Sequence, residues 1–202
     1  MVEHYFTKKP KSELKILKLS DILRDKEFNF FTASGLFSTS RVDHGSQLLA
    51  NKCVITDNSS ILDLGCGYGI IGLSLLLTNP SLELTFSDIN ERAIKLTKMN
   101  LRLHRLKAKV VQSDGFEKIE DKFDTILLNP PQTAGKKICF RLIEDSKNHL
   151  KNNGTLQLVA RHNKGGKDLS KKMNEVFGNV KDIVKKSGFR VYVSSYVTTK
   201  NL

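Results

Sequence analysis

The alternation of short β-rich runs with longer helical stretches through the centre of the chain constrains its fold more than any other feature. Strands are predicted at residues 61–64, 84–87, 109–112, 125–128 and 155–160. Helices are predicted between several of them, at residues 69–77, 91–106 and 137–150. Strands that alternate with helices form βαβ units, so the sequence predicts an α/β fold with a parallel sheet covered on both faces.

The last part of the chain changes pattern. A helix is predicted from residue 166 to 177, followed by β-rich stretches at residues 180–184 and 189–197 with a turn at Gly188. Two strands joined by a short turn form a hairpin, so we expect an antiparallel pair to close the sheet.

The N-terminal part has a different composition. Residues 1–27 mix lysine with isolated leucine and isoleucine, and we predict an arm or a small helix there. A strand at residues 28–31 and a loop at 32–46 are expected to follow. A chain of 202 residues suits one domain, so residues 28–202 are predicted to form a single catalytic domain.

Several classes of protein are excluded by composition. No run of 18 apolar residues is present, which argues against a membrane span. The charged N-terminus has no apolar segment typical of a signal peptide, so we expect a cytoplasmic protein. The cysteines Cys53, Cys66 and Cys139 are widely spaced, which favours reduced thiols over a disulfide framework or a zinc site. No metal is predicted.

The net charge of +12 indicates a polyanionic partner, because a basic surface attracts nucleic acids. Most of the excess lies near the C-terminus, where residues 161–202 hold ten Lys or Arg and three Asp or Glu. A lysine-rich surface that only maintains solubility is an equally good explanation of the charge alone.

A glycine-rich turn follows the first central strand. Gly65, Gly67 and Gly69 lie between that strand and a predicted helix, where a tight turn and a close-lying ligand require residues without a side chain. Gly67, Gly69 and Gly72 also spell G-x-G-x-x-G, the pattern of dinucleotide sites, so an NAD-dependent oxidoreductase is an alternative.

Three aspartates favour S-adenosylmethionine (SAM) over NAD. Asp88 ends the second central strand and can accept hydrogen bonds from both ribose hydroxyls. Asp114 follows the third strand and is placed to accept from an adenine amino group. Asp63, just before the glycines, suits the cationic amino end of SAM better than a pyrophosphate. The residues predicted to bind the cofactor are Asp63, Gly65, Gly67, Gly69, Asp88, Asp114 and Asn129.

The motif Asn129-Pro130-Pro131 follows the fourth central strand and predicts the chemistry. An exocyclic amine is a poor nucleophile because its lone pair is delocalised and positive charge develops on nitrogen during attack. The Asn129 side-chain oxygen and the Pro130 carbonyl can accept hydrogen bonds from the two N–H groups of the amine and offset that charge. The prolines hold this backbone extended. These three residues are therefore the catalytic candidates.

The chain resembles the methyltransferase small domain family, which includes the small-subunit ribosomal RNA guanine-N2 methyltransferases and compact relatives. The resemblance covers nearly the whole chain and rests on GLFS at 35–38, VDHGSQLL at 42–49, DLGCGYG at 63–69, DIN at 88–90, SD at 113–114 and NPP at 129–131. It implies the Rossmann-like, class I SAM-dependent methyltransferase fold with seven strands. It also implies that Phe37 and Ser38 cover the reaction site.

The resemblance implies methylation of guanine N2 in ribosomal RNA or transfer RNA. Gln132 follows the prolines where the amino-methyltransferase motif usually has an aromatic residue, so we expect Gln132 to contact the substrate. Base stacking then has to come from Phe31, Phe37 or Tyr68, or the target differs. A protein glutamine amide is the alternative target, since the same motif serves that amine.

Basic residues near the catalytic motif are candidate phosphate contacts. Lys136 follows the motif closely and is predicted to orient a phosphate. A second cluster begins just after the fifth central strand and is as consistent with phosphate contact as with a solvated surface; it consists of Arg161, Lys164, Lys167, Lys171 and Lys172.

Overall fold

The computed structural model describes residues 15–33 and 41–198. In chain order its strands are β1 (Ile16–Leu23), β2 (Lys26–Ala33), β3 (Ser60–Leu64), β4 (Glu83–Asp88), β5 (Lys109–Gln112), β6 (Phe123–Leu128), β7 (Leu150–Arg161), β8 (Lys181–Lys186) and β9 (Phe189–Ser195). Its α-helices are α1 (His44–Lys52), α2 (Ile70–Thr78), α3 (Glu91–Leu103), α4 (Lys136–Ser146) and α5 (Lys167–Phe177). Every strand predicted from the sequence is present.

Seven strands form one sheet in the order β5-β4-β3-β6-β7-β9-β8. The first five run parallel to one another, whereas β9 pairs antiparallel with both β7 and β8. The mostly parallel sheet and its antiparallel C-terminal hairpin are therefore confirmed. Because β3, β4, β5 and β6 are parallel, their carboxyl ends lie along one edge of the sheet.

Two apolar layers cover the sheet. The first contains Ile61 and Phe86 from the strands and the buried leucines of α1, α2 and α3. The second contains Leu62 and Ile126 from the strands and the buried residues of α4 and α5. Neighbouring residues Ile61 and Leu62 belong to opposite layers because successive side chains of a strand point to opposite faces. Both faces are thus buried, as the βαβ pattern predicts.

The expected N-terminal arm or helix is wrong for the described part of residues 1–27. Strands β1 and β2 form an antiparallel hairpin, with Arg24 and Asp25 at its turn in left-handed conformations of φ 52° and 62°. Leu23 and Phe30 of this hairpin are fully buried. The hydrophobic alternation of a half-buried strand outweighed the lysine-rich composition, and the proposed boundary at residue 28 falls inside β2.

Helix α1 was also not expected, since residues 32–46 were predicted to be a loop. The helix begins at His44 because Asp43 caps it, with Asp43 Oδ1 accepting a hydrogen bond from the Ser46 backbone N–H at 3.0 Å. An aspartate at this position satisfies one of the free N–H groups of the first turn. Helix α3 is shorter than predicted and ends at Leu103, where the chain turns through Arg105 at φ 55°.

Asn100 on α3 attaches the hairpin to the rest of the domain. Its side chain accepts a hydrogen bond from the Phe31 N–H at 2.6 Å and donates to the carbonyls of Phe31 and Tyr68, both at 2.9 Å. The residue is fully buried. One amide thus links β2, α3 and the turn that follows β3. No helix in the described ranges is long and apolar enough to cross a membrane.

Asn100→Ala is expected to lower the free energy of unfolding by about 3 kcal/mol, because it leaves buried backbone groups of Phe31 and Tyr68 without their partner. The measurement is urea unfolding followed by circular dichroism. The matched control is Asn174→Ala on the exposed face of α5, where we expect a change within about 0.5 kcal/mol. Equal effects of the two substitutions would show that Asn100 does not hold the hairpin.

Candidate functional site

A cavity of about 820 Å³ opens at the carboxyl ends of the parallel strands. This volume lies in the range of about 300 to 1,000 Å³ that is common for small-molecule sites. Eight residues predicted to bind cofactor or substrate, or to act in catalysis, line it; they are Gly65, Gly67, Asp88, Asp114, Asn129, Pro130, Pro131 and Gln132. They come together because the strands that carry them end at the same edge of the sheet.

The glycine turn forms one wall of the cavity. Gly65 and Gly67 are left-handed, with φ of 68° and 59°. Apart from each glycine and its chain neighbours, no atom of the described residues lies within 4 Å of the point where a Cβ would stand. A ligand can therefore approach this backbone closely. Gly69 faces the opposite way, toward Thr97 of α3, and its left-handed φ of 84° starts α2.

Asp63 lies behind this turn and does not line the cavity. Its carboxylate is buried and accepts a hydrogen bond from the Gly72 N–H at 2.9 Å. Burial raises the pKa of Asp63 to about 7, with a smaller contribution from the negative charge of Asp88, while the Gly72 hydrogen bond opposes the shift. The structure thus places Asp63 as a support of the turn, and contact with a cofactor stays a prediction.

Asp88 does line the cavity, at the end of β4. Its two oxygens accept hydrogen bonds from the N–H groups of Gly67 at 2.9 Å and Asn90 at 2.8 Å. Burial raises the pKa of Asp88, and these N–H donors oppose the rise. Next to it on the wall, the buried Ser87 hydroxyl has no hydrogen-bond partner within the described chain.

These features fit the adenosine part of SAM. Gly65 and Gly67 leave open space beside their backbone. Each carboxylate oxygen of Asp88 accepts one N–H hydrogen bond and has a lone pair left to accept another from a hydroxyl group. Asp114 lines the same cavity and forms an ion pair with Arg141 of α4, a residue that was not predicted to be part of the site.

Asn129 has a fixed orientation at the end of β6. Its Nδ2 donates to Ser46 Oγ at 3.0 Å and to Asp43 Oδ1 at 3.3 Å. A carboxylate only accepts hydrogen bonds, so the side-chain NH2 group of the Asn129 amide must face Asp43. The side-chain oxygen of Asn129 is therefore left for another partner, and Asn129 lies on the cavity wall.

The loop after Asn129 is held by its own backbone. The Pro130 carbonyl accepts from the Gln132 N–H at 2.8 Å, and the Pro131 carbonyl accepts from the Ala134 N–H at 2.8 Å. The Gln132 side chain donates to the Lys164 carbonyl at 2.9 Å, which connects this loop to the segment after β7. Gln132 thus lines the cavity while its amide nitrogen stabilises the loop.

The remaining predicted substrate-binding residues are Lys136, Phe37 and Ser38. Lys136 does not line the cavity, and its ammonium group pairs with Asp168 of α5 at 2.6 Å. Its contact with a phosphate stays a prediction. Phe37 and Ser38 lie outside the described residues.

The cavity wall also contains residues that were not predicted from the sequence to belong to the site, among them Asp43, Ser46, Arg141 and Phe189. The N-cap pattern of Asp43 and Ser46 was a local signal that could have revealed α1, although not its contact with Asn129. Arg141 and Phe189 carried no such signal, because their neighbours in the site are distant in the sequence.

Comparison with known proteins gives a consistent picture. The sequence profile of the family described as methyltransferase small domain matches residues 27–193. The uncharacterized protein YbxB of Bacillus subtilis (strain 168) is 37% identical over 195 residues, which cover 95% of this chain and 97% of that protein. The ribosomal RNA small subunit methyltransferase C of Hamiltonella defensa is 35% identical over 171 residues, 83% of this chain and 50% of that protein. The chain thus spans about half the length of the ribosomal RNA methyltransferases that it matches.

Solved structures show the same architecture. The 16S rRNA N2 methyltransferase RsmC of T. thermophilus, in complex with AdoMet and guanosine, superimposes with a TM-score of 0.79 at 24% identity, covering 93% of this chain and 52% of that one. A methyltransferase from Pyrococcus furiosus has a TM-score of 0.67 at 20% identity, covering 76% and 82%. At these identities the similarity shows the fold.

The pKa of Asp63 predicts a pH-dependent stability. Because burial raises this pKa in the folded state to about 7, the folded protein binds a proton more tightly than the unfolded chain. The stabilising proton is present at pH 4 and is lost as the pH rises through about 7. The comparison is with Asp63→Asn, which keeps an oxygen acceptor for the Gly72 N–H. Between pH 4.5 and 8 the free energy of unfolding of the wild type is expected to fall by about 3 kcal/mol more than that of the variant. Urea unfolding at the two pH values measures this difference, and an equal pH dependence of the two proteins would contradict the prediction.

Proposed function

Because the chain belongs to the methyltransferase small domain family, we propose that it transfers a methyl group from SAM to the exocyclic N2 of a guanine in RNA, with ribosomal RNA as the first candidate and transfer RNA as the second. The predicted family and the class I SAM-dependent methyltransferase fold are both confirmed. Family membership also makes the NAD-dependent oxidoreductase alternative wrong.

The cofactor site is assigned to the cavity wall formed by β3 and β4. When bound, SAM supplies an electrophilic methyl group on its sulfonium. Gly65 and Gly67 leave room for the ligand against their backbone, and Asp88 accepts from the ribose hydroxyls. Asp114 and Arg141 together form the far wall, where the adenine is expected to lie.

The orientation of Asn129 carries the proposal. Asp43 and Ser46 bind the amide nitrogen, so the amide oxygen is available to accept one N–H of the target amine. The Pro130 carbonyl uses one lone pair for Gln132 and has a second for the other N–H. Two fixed acceptors stabilise the positive charge that develops on the nitrogen as it attacks. Positioning of the two reactants supplies much of the remaining acceleration.

An RNA substrate is supported by charge and by the relatives. Four cationic side chains line the cavity: Arg41, Arg141, Arg161 and Lys164. The protein carries a net charge of +12. The ribosomal RNA small subunit methyltransferases C of Hamiltonella defensa and Photorhabdus laumondii are 35% and 37% identical to this chain over the matched regions.

The function is tested by incubating the purified protein with methyl-labelled SAM and three acceptors in separate reactions: unmodified 16S ribosomal RNA transcripts, unmodified transfer RNA transcripts and ribosomal protein. We expect label in RNA, and nucleoside mass spectrometry should identify it as N2-methylguanosine. Label confined to protein, on a glutamine amide, would reject the RNA proposal and support the alternative target.

Asn129→Ala is expected to reduce kcat about 100-fold, because it removes one acceptor for the attacking amine. Affinity for S-adenosylhomocysteine, measured by isothermal titration calorimetry, should be retained, since Gly65, Gly67 and Asp88 are unchanged. Asn174→Ala on the exposed face of α5 is the control for loss of an asparagine side chain. An undiminished kcat in Asn129→Ala would remove this residue from the mechanism.

A further inference from the structure

Among the described residues, the base-stacking candidates proposed from the sequence are poorly placed to present a ring face to a base, although Tyr68 lies on the cavity wall. Phe31 does not line the cavity. Tyr68 is only 4% exposed, and Phe30 covers one face of its ring with the centroids 5.5 Å apart. Phe37 lies outside the described residues. Gln132, which follows the prolines, is tied to the Lys164 carbonyl.

Phe189 lies at the carboxyl edge of the sheet, on the wall of the cavity. It is the first residue of β9 and pairs in register with Arg161, the last residue of β7. Because β9 runs antiparallel to β7, its first residue lies at the carboxyl edge of the sheet, beside the ends of the parallel strands. Phe189 is partly buried against the core, and both it and Arg161 line the cavity.

The Phe189 ring is also close to Asn129. A Cβ placed on Gly45 of α1 would lie 3.2 Å from Phe189 Cε1 and 3.4 Å from Asn129 Nδ2. The ring edge and the Asn129 amide thus lie beside the same glycine, where a side chain would have to displace its neighbours by a few tenths of an ångström. On a face of the ring, the Arg161 guanidinium carbon lies 5.1 Å from the centroid.

We propose that Phe189 and Arg161 form the platform on which the accepting base stacks when its amine reaches Asn129. Both groups are planar, and a guanidinium stacks on bases as aromatic rings do. The platform replaces the aromatic residue missing after the prolines. It also requires a flat heteroaromatic substrate, which a nucleobase provides and a protein glutamine amide does not. This inference rests on the proposed function.

The test compares Phe189→Leu, which keeps an apolar side chain but removes the ring, with Phe189→Tyr, which restores a ring. Binding of unmodified 16S ribosomal RNA and transfer RNA transcripts is measured by filter binding in saturating S-adenosylhomocysteine, alongside the KM for RNA. Phe189→Leu is expected to weaken RNA binding and raise this KM by roughly 10- to 100-fold, and Phe189→Tyr to bind more tightly than Phe189→Leu. Affinity for S-adenosylhomocysteine and the Tm should stay close to wild type in both.

Phe140→Leu is the matched control. Phe140 is also partly buried and has a cation over its ring, with Lys172 Nζ 5.5 Å from the centroid, but it lies on α4 and does not line the cavity. Equal RNA affinity in Phe189→Leu and Phe140→Leu would overturn the platform while leaving the proposed function standing. A wild-type protein that neither binds nor methylates the transcripts would overturn both proposals.

Discussion

Two buried carboxylates brace the turn on which the rest of the site depends. Asp63 in β3 accepts a hydrogen bond from the Gly72 N–H in the first turn of α2. Asp88, the last residue of β4, accepts one from the Gly67 N–H. Together they hold the left-handed glycines of the turn between β3 and α2. Burying a carboxylate is unfavourable, as the raised pKa values of both residues show. The N–H donors offset part of this cost and hold the turn that forms the wall of the cavity.

The reactive side of the cavity is organised by a helix cap. Asp43 caps α1 and at the same time accepts from the side-chain amide nitrogen of Asn129, so one carboxylate sets both the start of a helix and the direction of the Asn129 side-chain oxygen, the proposed acceptor for the target amine. Gly45 and Ser46 in the first turn of α1 leave room for this contact. Preorganised acceptors of this kind do not have to reorient as charge develops on the substrate.

The antiparallel strand β9 gives the sheet a functional asymmetry. In a wholly parallel sheet the carboxyl edge contains only strand ends, whereas β9 brings the beginning of a strand to that edge. Phe189 reaches the cavity in this way and meets Arg161 from the end of β7. Strand β9 therefore does more than extend the sheet, since it also supplies an aromatic ring to the wall of the cavity.

Local patterns in the sequence determined the parallel strands, most of the helices and the residues at the strand ends, because hydrophobic periodicity and glycine turns act over a few residues. Those residues meet in one cavity because parallel strands end at a common edge. The contact of Asp43 with Asn129, the Asp114–Arg141 pair and the position of Phe189 were decided by tertiary structure. The two contacts join residues 86 and 27 positions apart in the chain, and Phe189 reaches the cavity through the direction of β9. Only packing of the seven-stranded sheet brings such residues together.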